Sequence, residues 1–200
     1  MIKINSMTDN EIKEMAEAFA DYDYGKNEKG LIVYFPDREK LIAYLTAMIR
    51  SALQCNMVYA TSDQKEGIII ITDTTAPMPF IPMLKLFHSM IKALTFKVFT
   101  NFTKHAQSGG GSIEAKFRKE KKQFIQVEML VVRKQYQGQG YMRKLLDKAF
   151  ELADKKQLPC IIVTDAALKK DKYVHLGMKL DNTRQADDGV FMYDMVRENR

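Results

Sequence analysis

Apolar positions recur along this chain with two periods, and the switches between them lay out its elements. Ile2 to Asn5 opens as a short strand. Thr8 and Glu11 then stand at capping-box spacing, where each side chain satisfies an amide orphaned in the first helical turn. Ile12, Met15, Ala16 and Phe19 follow at helical spacing and predict one core-facing side. Pro36-Asp37 predicts the start of a second helix, with Leu41, Ile42, Leu45, Met48 and Ile49 as its buried stripe. Two β-rich runs, Met57 to Thr61 and Ile68 to Thr72, flank Asp63-Gln64-Lys65-Glu66-Gly67, which reads as a hairpin turn.

The pattern then changes. Pro77, Pro79 and Pro82 precede a segment rich in Phe, Met and Leu, in which Met83, Leu84, Phe87, Met90, Ile91 and Leu94 again have helical spacing. Ser108-Gly109-Gly110-Gly111-Ser112 is a flexible break and lacks the Gly-Lys-Ser/Thr of a phosphate loop. Residues 75 to 120 are therefore expected to form a largely helical insertion between strands of one sheet. Phe124 to Val132 reads as a strand, Arg133 to Gly140 as a polar loop, and Leu145, Leu146, Ala149, Phe150 and Ala153 as the buried side of a helix. Cys160 to Thr164 is nearly all apolar, the mark of a strand covered on both faces. Strand, helix and strand in this order predict a βαβ unit with parallel strands. A short helix about Asp171 to Leu176 closes at Gly177, a favoured C′ residue. Two strands, about Lys179 to Thr183 and Val190 to Val196, flank a turn at Gln185 to Gly189.

Composition narrows the class. The chain has 200 residues, 46% hydrophobic and 28% charged, which suits one compact domain with its own core. Cys55 and Cys160 are too few for a disulfide framework and lack the Cys-x-x-Cys spacing of a zinc site, which favours a reducing compartment. No run approaches the roughly 18 to 20 apolar residues of a membrane span, and the first residues lack a signal-peptide core. A soluble cytoplasmic protein without a membrane partner is expected. The net charge of +6 suits nucleic acid, an anionic cofactor or solubility. Lys116, Arg118, Lys119, Lys121 and Lys122 form the densest basic run, but no nucleic-acid-binding motif surrounds them, so they read as a solvated helix end and no nucleic-acid partner is expected. No His, Cys or carboxylate cluster has metal-ligand spacing, so no metal is expected.

The chemistry concentrates in Glu128 to Met142. A strand runs into a Gly-containing loop that opens a helix, and this collects unpaired amides at the positive end of a helix dipole. A dinucleotide fingerprint requires glycine at position 143, where Arg143 stands. Gln137-Gly138-Gln139-Gly140-Tyr141-Met142 instead resembles the acyl-CoA-binding motif of the GNAT superfamily of N-acetyltransferases, a Gln/Arg-x-x-Gly-x-Gly/Ala signature after a strand. Tyr173-Val174-His175-Leu176-Gly177-Met178 resembles that family's late Tyr-x-x-x-Gly-Phe motif, and the order of elements between them matches. Ala18-Phe19-Ala20-Asp21-Tyr22 and the insertion resemble the puromycin-acetyltransferase-like branch. Met142 departs from the usual Gly or Ala, Met178 from the usual Phe, and Lys134 stands where proline is common.

The resemblance implies an α+β fold, a central mixed and mostly antiparallel twisted sheet flanked by helices, with the acetyl-CoA-binding half over about residues 121–200. It implies an amine attacking acetyl-CoA directly, with no covalent enzyme intermediate. Amides from Gln137 through Gly138, Gln139, Gly140, Tyr141 and Met142 to Arg143 would hold the pyrophosphate. Amides from Leu130 through Val131 to Val132, near a bulge in the motif strand, would polarise the thioester carbonyl, a role worth about 3 kcal/mol per donor. Tyr173 would protonate the leaving thiolate, since a phenol with an ordinary pKa of about 10 keeps its proton at neutral pH. Glu128 is the candidate base for the amine, directly or through water; its other reading is a cross-strand ion pair. His175 points away from Tyr173 on its helix, and His88 and His105 lie in the insertion. The expected acceptor is a small-molecule amine. A protein or peptide acceptor, and a non-catalytic CoA-binding module, are the alternatives, and either a monomer or a homodimer joined at sheet edges fits.

Overall fold

A computed structural model describes residues 1–24, 28, 30–76, 111–185 and 189–199. In chain order these form β1 (Ile2–Ile4), α1 (Asp9–Ala20), α2 (Arg38–Gln54), β2 (Val58–Ala60), β3 (Gly67–Asp73), α3 (Ile113–Lys119), β4 (Ile125–Val132), α4 (Tyr141–Lys156), β5 (Cys160–Thr164), α5 (Ala167–His175), β6 (Lys179–Gln185) and β7 (Phe191–Arg197). A 3₁₀ turn at Leu31–Tyr34 precedes α2, and another at Lys134–Tyr136 follows β4.

Local chemistry sets most boundaries. The capping box forms: Thr8 Oγ1 accepts from the Glu11 amide at 3.2 Å, and Glu11 Oε2 accepts from the Thr8 amide at 2.8 Å. The α2 helix starts one residue later than Pro36-Asp37 suggests, because Asp37 is its cap and accepts from the Lys40 amide at 2.8 Å. Ser112 caps α3 through the Ala115 amide at 3.2 Å. The basic run ends α3 and leads into β4, as its reading requires. Most of the predicted insertion, including Met83 to Leu94, His88 and His105, lies outside the described residues.

Seven strands form one sheet in the order β1-β2-β3-β4-β5-β7-β6. Among the described residues only β4 and β5 run parallel, as the βαβ reading predicts, and every other neighbouring pair is antiparallel. Helices cover both faces. On one, Ile12, Met15, Leu41, Leu45 and Ile49 of α1 and α2 pack on Ile68, Ile70, Met129 and Val131. Phe117 of α3 extends that cover to Phe124, Ile161 and Val196. On the other face, Leu145, Leu146, Ala149 and Ala153 of α4 and Tyr173 of α5 pack on Ile69, Ile71, Ile125 and Val127. Helices on both faces explain why β3 and β5 carry near-continuous apolar runs.

Candidate active site

The sheet is incompletely closed at its centre. The β4 strand pairs with β5 only through Ile125–Cys160, Gln126–Ile161 and Val127–Ile162, and then, among the described residues, continues to Val132 alongside β3 alone. A wedge opens beyond the last of these pairs. On the β3 side, Ile70 faces Met129 while Ile71 faces Val127, so Glu128 is an extra, bulged residue. The bulge resets the alternation. Ile125, Val127 and Val132 belong to the α4–α5 core, whereas Met129 and Val131 belong to the α1–α2 core. The bulge therefore lies at Glu128, just before Leu130 to Val132, whose partners Ile69, Ile68 and Gly67 follow in regular register. What distinguishes Leu130 and Val132 is the wedge. The Arg133 amide donates to the Glu66 carbonyl at 2.9 Å, and strand alternation then turns the main-chain groups of Leu130 and Val132 away from β3, toward the opening.

The loop after β4 closes the mouth of the wedge. Gln137 Nε2 donates to the Val132 carbonyl at 3.0 Å, which folds the loop back on the strand. Gly138 and Gly140 have φ of 78° and 80°, a region that disfavours a side chain. Gly140 is the cap residue of α4 and offers no side-chain acceptor, so the amides of Tyr141, Met142 and Arg143 start the helix without an internal partner. A Cβ built on either glycine would meet no atom within 4 Å. Open space thus adjoins both glycines.

That space is a cavity of about 270 Å³, walled by Leu130, Val131, Val132, Gln137, Gly138, Gly140, Tyr141 and Met142 on one side. Opposite them stand Phe19 and Tyr22 from the end of α1 and Lys169, Lys172 and Tyr173 from α5. Met142 is part of the wall and leaves the cavity open. Gln139 and Arg143 are not among its lining residues. Gln139 Nε2 turns back to the Gln135 carbonyl at 3.1 Å, and Arg143 Nη1 lies 4.0 Å from Asp147 Oδ1.

Buried polar contacts fasten this loop to the β2–β3 hairpin. Thr61 Oγ1 and Ser62 Oγ donate to Glu66 Oε2 at 2.6 and 2.7 Å, and Tyr141 donates through its hydroxyl to Glu66 Oε1 at 3.3 Å. Burial alone would raise the Glu66 carboxyl, but these donors prevail and bring it down to about 2. Arg133 adds a clamp: its guanidinium donates to the carbonyls of Lys65 and Gln64 and reaches Glu14 at 3.2 Å.

Two titratable groups flank the wedge. Tyr173 is 4% exposed, and loss of water, with Tyr22 and Asp165 nearby, holds its phenol well above the ordinary tyrosine range. It keeps its proton at any physiological pH. Glu128 opens into a recess of about 330 Å³ on the α1–α2 face, where Tyr34, Tyr44, Met48, Glu114 and Asp165 also stand. Its carboxylate accepts from Thr72 Oγ1 at 2.8 Å and from Gln126 Nε2 at 3.2 Å. Among the described residues its cross-strand partner is thus the Thr72 hydroxyl. Opening into the recess leaves Glu128 accessible surface, while loss of bulk water, aided by Glu114, pushes its carboxyl up to about 7. Phe19 lines both the cavity and the recess, so the two hollows adjoin. His175 is exposed, as its place on the helix predicts.

Comparison with known proteins is consistent with this geometry. Residues 109–175 match the family model described as the acetyltransferase (GNAT) family. Arylalkylamine N-acetyltransferase 2 from Aedes aegypti is similar in structure, with a TM-score of 0.57 at 13% identity, over 98% of this chain and 97% of that one. An N-acetyltransferase from Staphylococcus aureus Mu50 superposes with a TM-score of 0.55 at 12% identity, over 98% of this chain and 100% of that one. The chain has the GNAT acetyltransferase fold. No curated protein matches it in sequence.

Within the GNAT fold, the wedge and the glycine loop lie in the segment that the family model matches. The sequence reading missed Tyr22, Lys169 and Lys172, and it treated Phe19 as core. One signal was present: Lys169 precedes Tyr173 by one helical turn, so both side chains share a face. Tyr22 belongs to the Ala18 to Tyr22 segment, but nothing in that segment points to a cavity that Tyr22 reaches beside Lys169 of α5.

Proposed function

We propose that the chain transfers the acetyl group of acetyl-CoA to the primary amine of a small molecule, by direct attack in a ternary complex. The observation that carries the reading is the wedge beside β4, with unpaired amides of the α4 start at its mouth and Glu128 and Tyr173 on either flank. Acetyl-CoA, when bound, supplies an acetyl group activated as a thioester.

Every other task falls to the chain. The amides of Tyr141, Met142 and Arg143, at the positive end of α4, would hold the pyrophosphate. Gly138 and Gly140 keep Cβ atoms out of that contact. The main-chain groups of Leu130 and Val132 would bind along the wedge as a partial β-strand partner and polarise the thioester carbonyl. Glu128 takes a proton from the amine; at about 7 its carboxyl is basic enough to accept one and ionised enough to be available near neutrality. Tyr173 returns a proton to the departing sulfur. The recess beside Glu128 suits an acceptor of modest size, and its Tyr34, Tyr44 and Met48 favour an apolar body behind the amine. Two free cysteines, Cys55 and Cys160, suit a reducing cytoplasm. Within the superfamily we place the chain on the puromycin-acetyltransferase-like branch, on the Ala18 to Tyr22 segment.

The test is CoA-thiol release over a panel of small amines, arylalkylamines and peptides, repeated with Tyr173→Phe. Small amines should be turned over, and the variant should lose about 10²–10⁴-fold in kcat while its thermal stabilisation by acetyl-CoA persists. Unchanged turnover in the variant would remove Tyr173 from the chemistry. Acetyl-CoA binding without turnover of any amine would leave a binding module.

A further inference from the structure

Lys169 has no part in that mechanism, yet its side chain is only 12% exposed and lines the proposed acetyl-CoA cavity. Its ammonium is enclosed. Nζ lies 4.1 Å from the centroid of Tyr22, 4.6 Å from Phe19 and 5.3 Å from Tyr24, and 3.9 Å from Asp165 Oδ1. Tyr24 in turn donates to Asp165 Oδ2 at 2.9 Å. Three rings and a carboxylate hold an ammonium well only while it is charged. One helical turn later on the same face stands Tyr173.

We propose that Lys169 is itself an acetylation site: in the absence of an amine acceptor, its Nζ attacks the thioester bound in the cavity and becomes Nε-acetyllysine. This rests on the reading of the cavity as the acetyl-CoA site. The lysine ammonium gives a proton to Asp165, its ion-pair partner. Nζ then attacks the acetyl carbon; as the carbon–sulfur bond breaks, the nitrogen sheds its second proton to solvent, the thiolate takes a proton from Tyr173, which recovers one from solvent, and Asp165 releases the proton it accepted. The net change is ammonium plus thioester to amide, free thiol and one released proton.

Deprotonation does two things at once. It creates the nucleophile, and it ends the attraction of the three rings, so the four-carbon stem can swing into the cavity. Burial favours this step by lowering the lysine pKa, although Asp165 opposes it. Lys172 also lines the cavity but is exposed and, among the described residues, lacks the three-ring enclosure that holds Lys169. Acetylation would leave a neutral, bulkier side chain in the cavity and should reduce turnover of amines.

Full-length protein is incubated with acetyl-CoA and no amine, with CoA alone as control, then studied by intact mass and peptide mapping. In parallel, acetyl-CoA binding is followed by calorimetry and amine-dependent thiol release is measured. One acetyl group per chain at Lys169, absent from Lys169→Arg and slowed at least tenfold in Tyr173→Phe, is the expected result. Acetyl groups spread evenly over exposed lysines such as Lys119 would overturn the proposal, as would normal binding and amine turnover with Lys169 unmodified. In that last case the acetyltransferase reading survives. Absence of acetyl-CoA binding would overturn both.

Discussion

Glu128 shows how much one extra residue in a strand can do. The bulge turns its carboxyl into the recess beside Thr72 and Gln126, and loss of water raises it to about 7. A base must be ionised to act, so kcat/KM for the amine should rise with pH through about 7 and level off above it. Glu128→Gln should remove that limb and cost about 10²–10⁴-fold; a variant with the same ascending limb would assign the limb to another group. Gly140 carries a second prediction. Valine there would strain the left-handed backbone by roughly 1–2 kcal/mol and place methyl groups in the open space before the α4 amides. Acetyl-CoA stabilisation in a thermal shift should then vanish while the fold persists, and equal shifts in both proteins would count against the loop as the anion site. The glycine loop between strand and helix was legible because a strand, two glycines and a helix follow in direct succession, whereas Tyr173 stood out only through the resemblance of its motif. The position of the bulge was not legible, because a strand of Ile, Val, Met and Leu gives no sign of where its partner skips a residue.

Between elements, long-range contacts decide what short patterns leave open. The α5 helix begins at Ala167, well before the predicted Asp171, although no side chain caps it locally. The missing acceptor is Glu28, whose Oε2 receives the Ala167 amide at 2.7 Å while Oε1 receives the Tyr193 hydroxyl at 2.8 Å. A cap delivered from so far along the chain has no sequence signature. The hairpin–loop joint behaves alike: Glu66 reads as a turn residue, yet it holds Thr61, Ser62 and Tyr141 together. Its carboxyl is depressed from 4.5 to about 2 in the fold. The ionised form is thus favoured by folding, and its contribution is complete above about 4.5 and lost as pH falls toward 2. Glu66→Gln should lower the urea midpoint at neutral pH and flatten its decline between those values. An equally steep acid decline in the variant would place the titration elsewhere.

At the scale of the molecule, periodicity marked the strands and helices, and their order the parallel step, because burial on both faces writes itself into apolar runs. The mixed sheet and its helical cover were what the resemblance implied. Neither could show that β4 and β5 part company after three rungs. That early parting is a seam through the middle of the sheet, joined below and unstitched above. Unlaced peptide groups there should trade hydrogen for deuterium faster than their neighbours on β3. A ligand laid along the gap would act as a splint, so exchange at Leu130 and Val132 should slow in its presence while β1 and β2 stay unchanged; an equal rate with and without acetyl-CoA would mean the seam is never bridged.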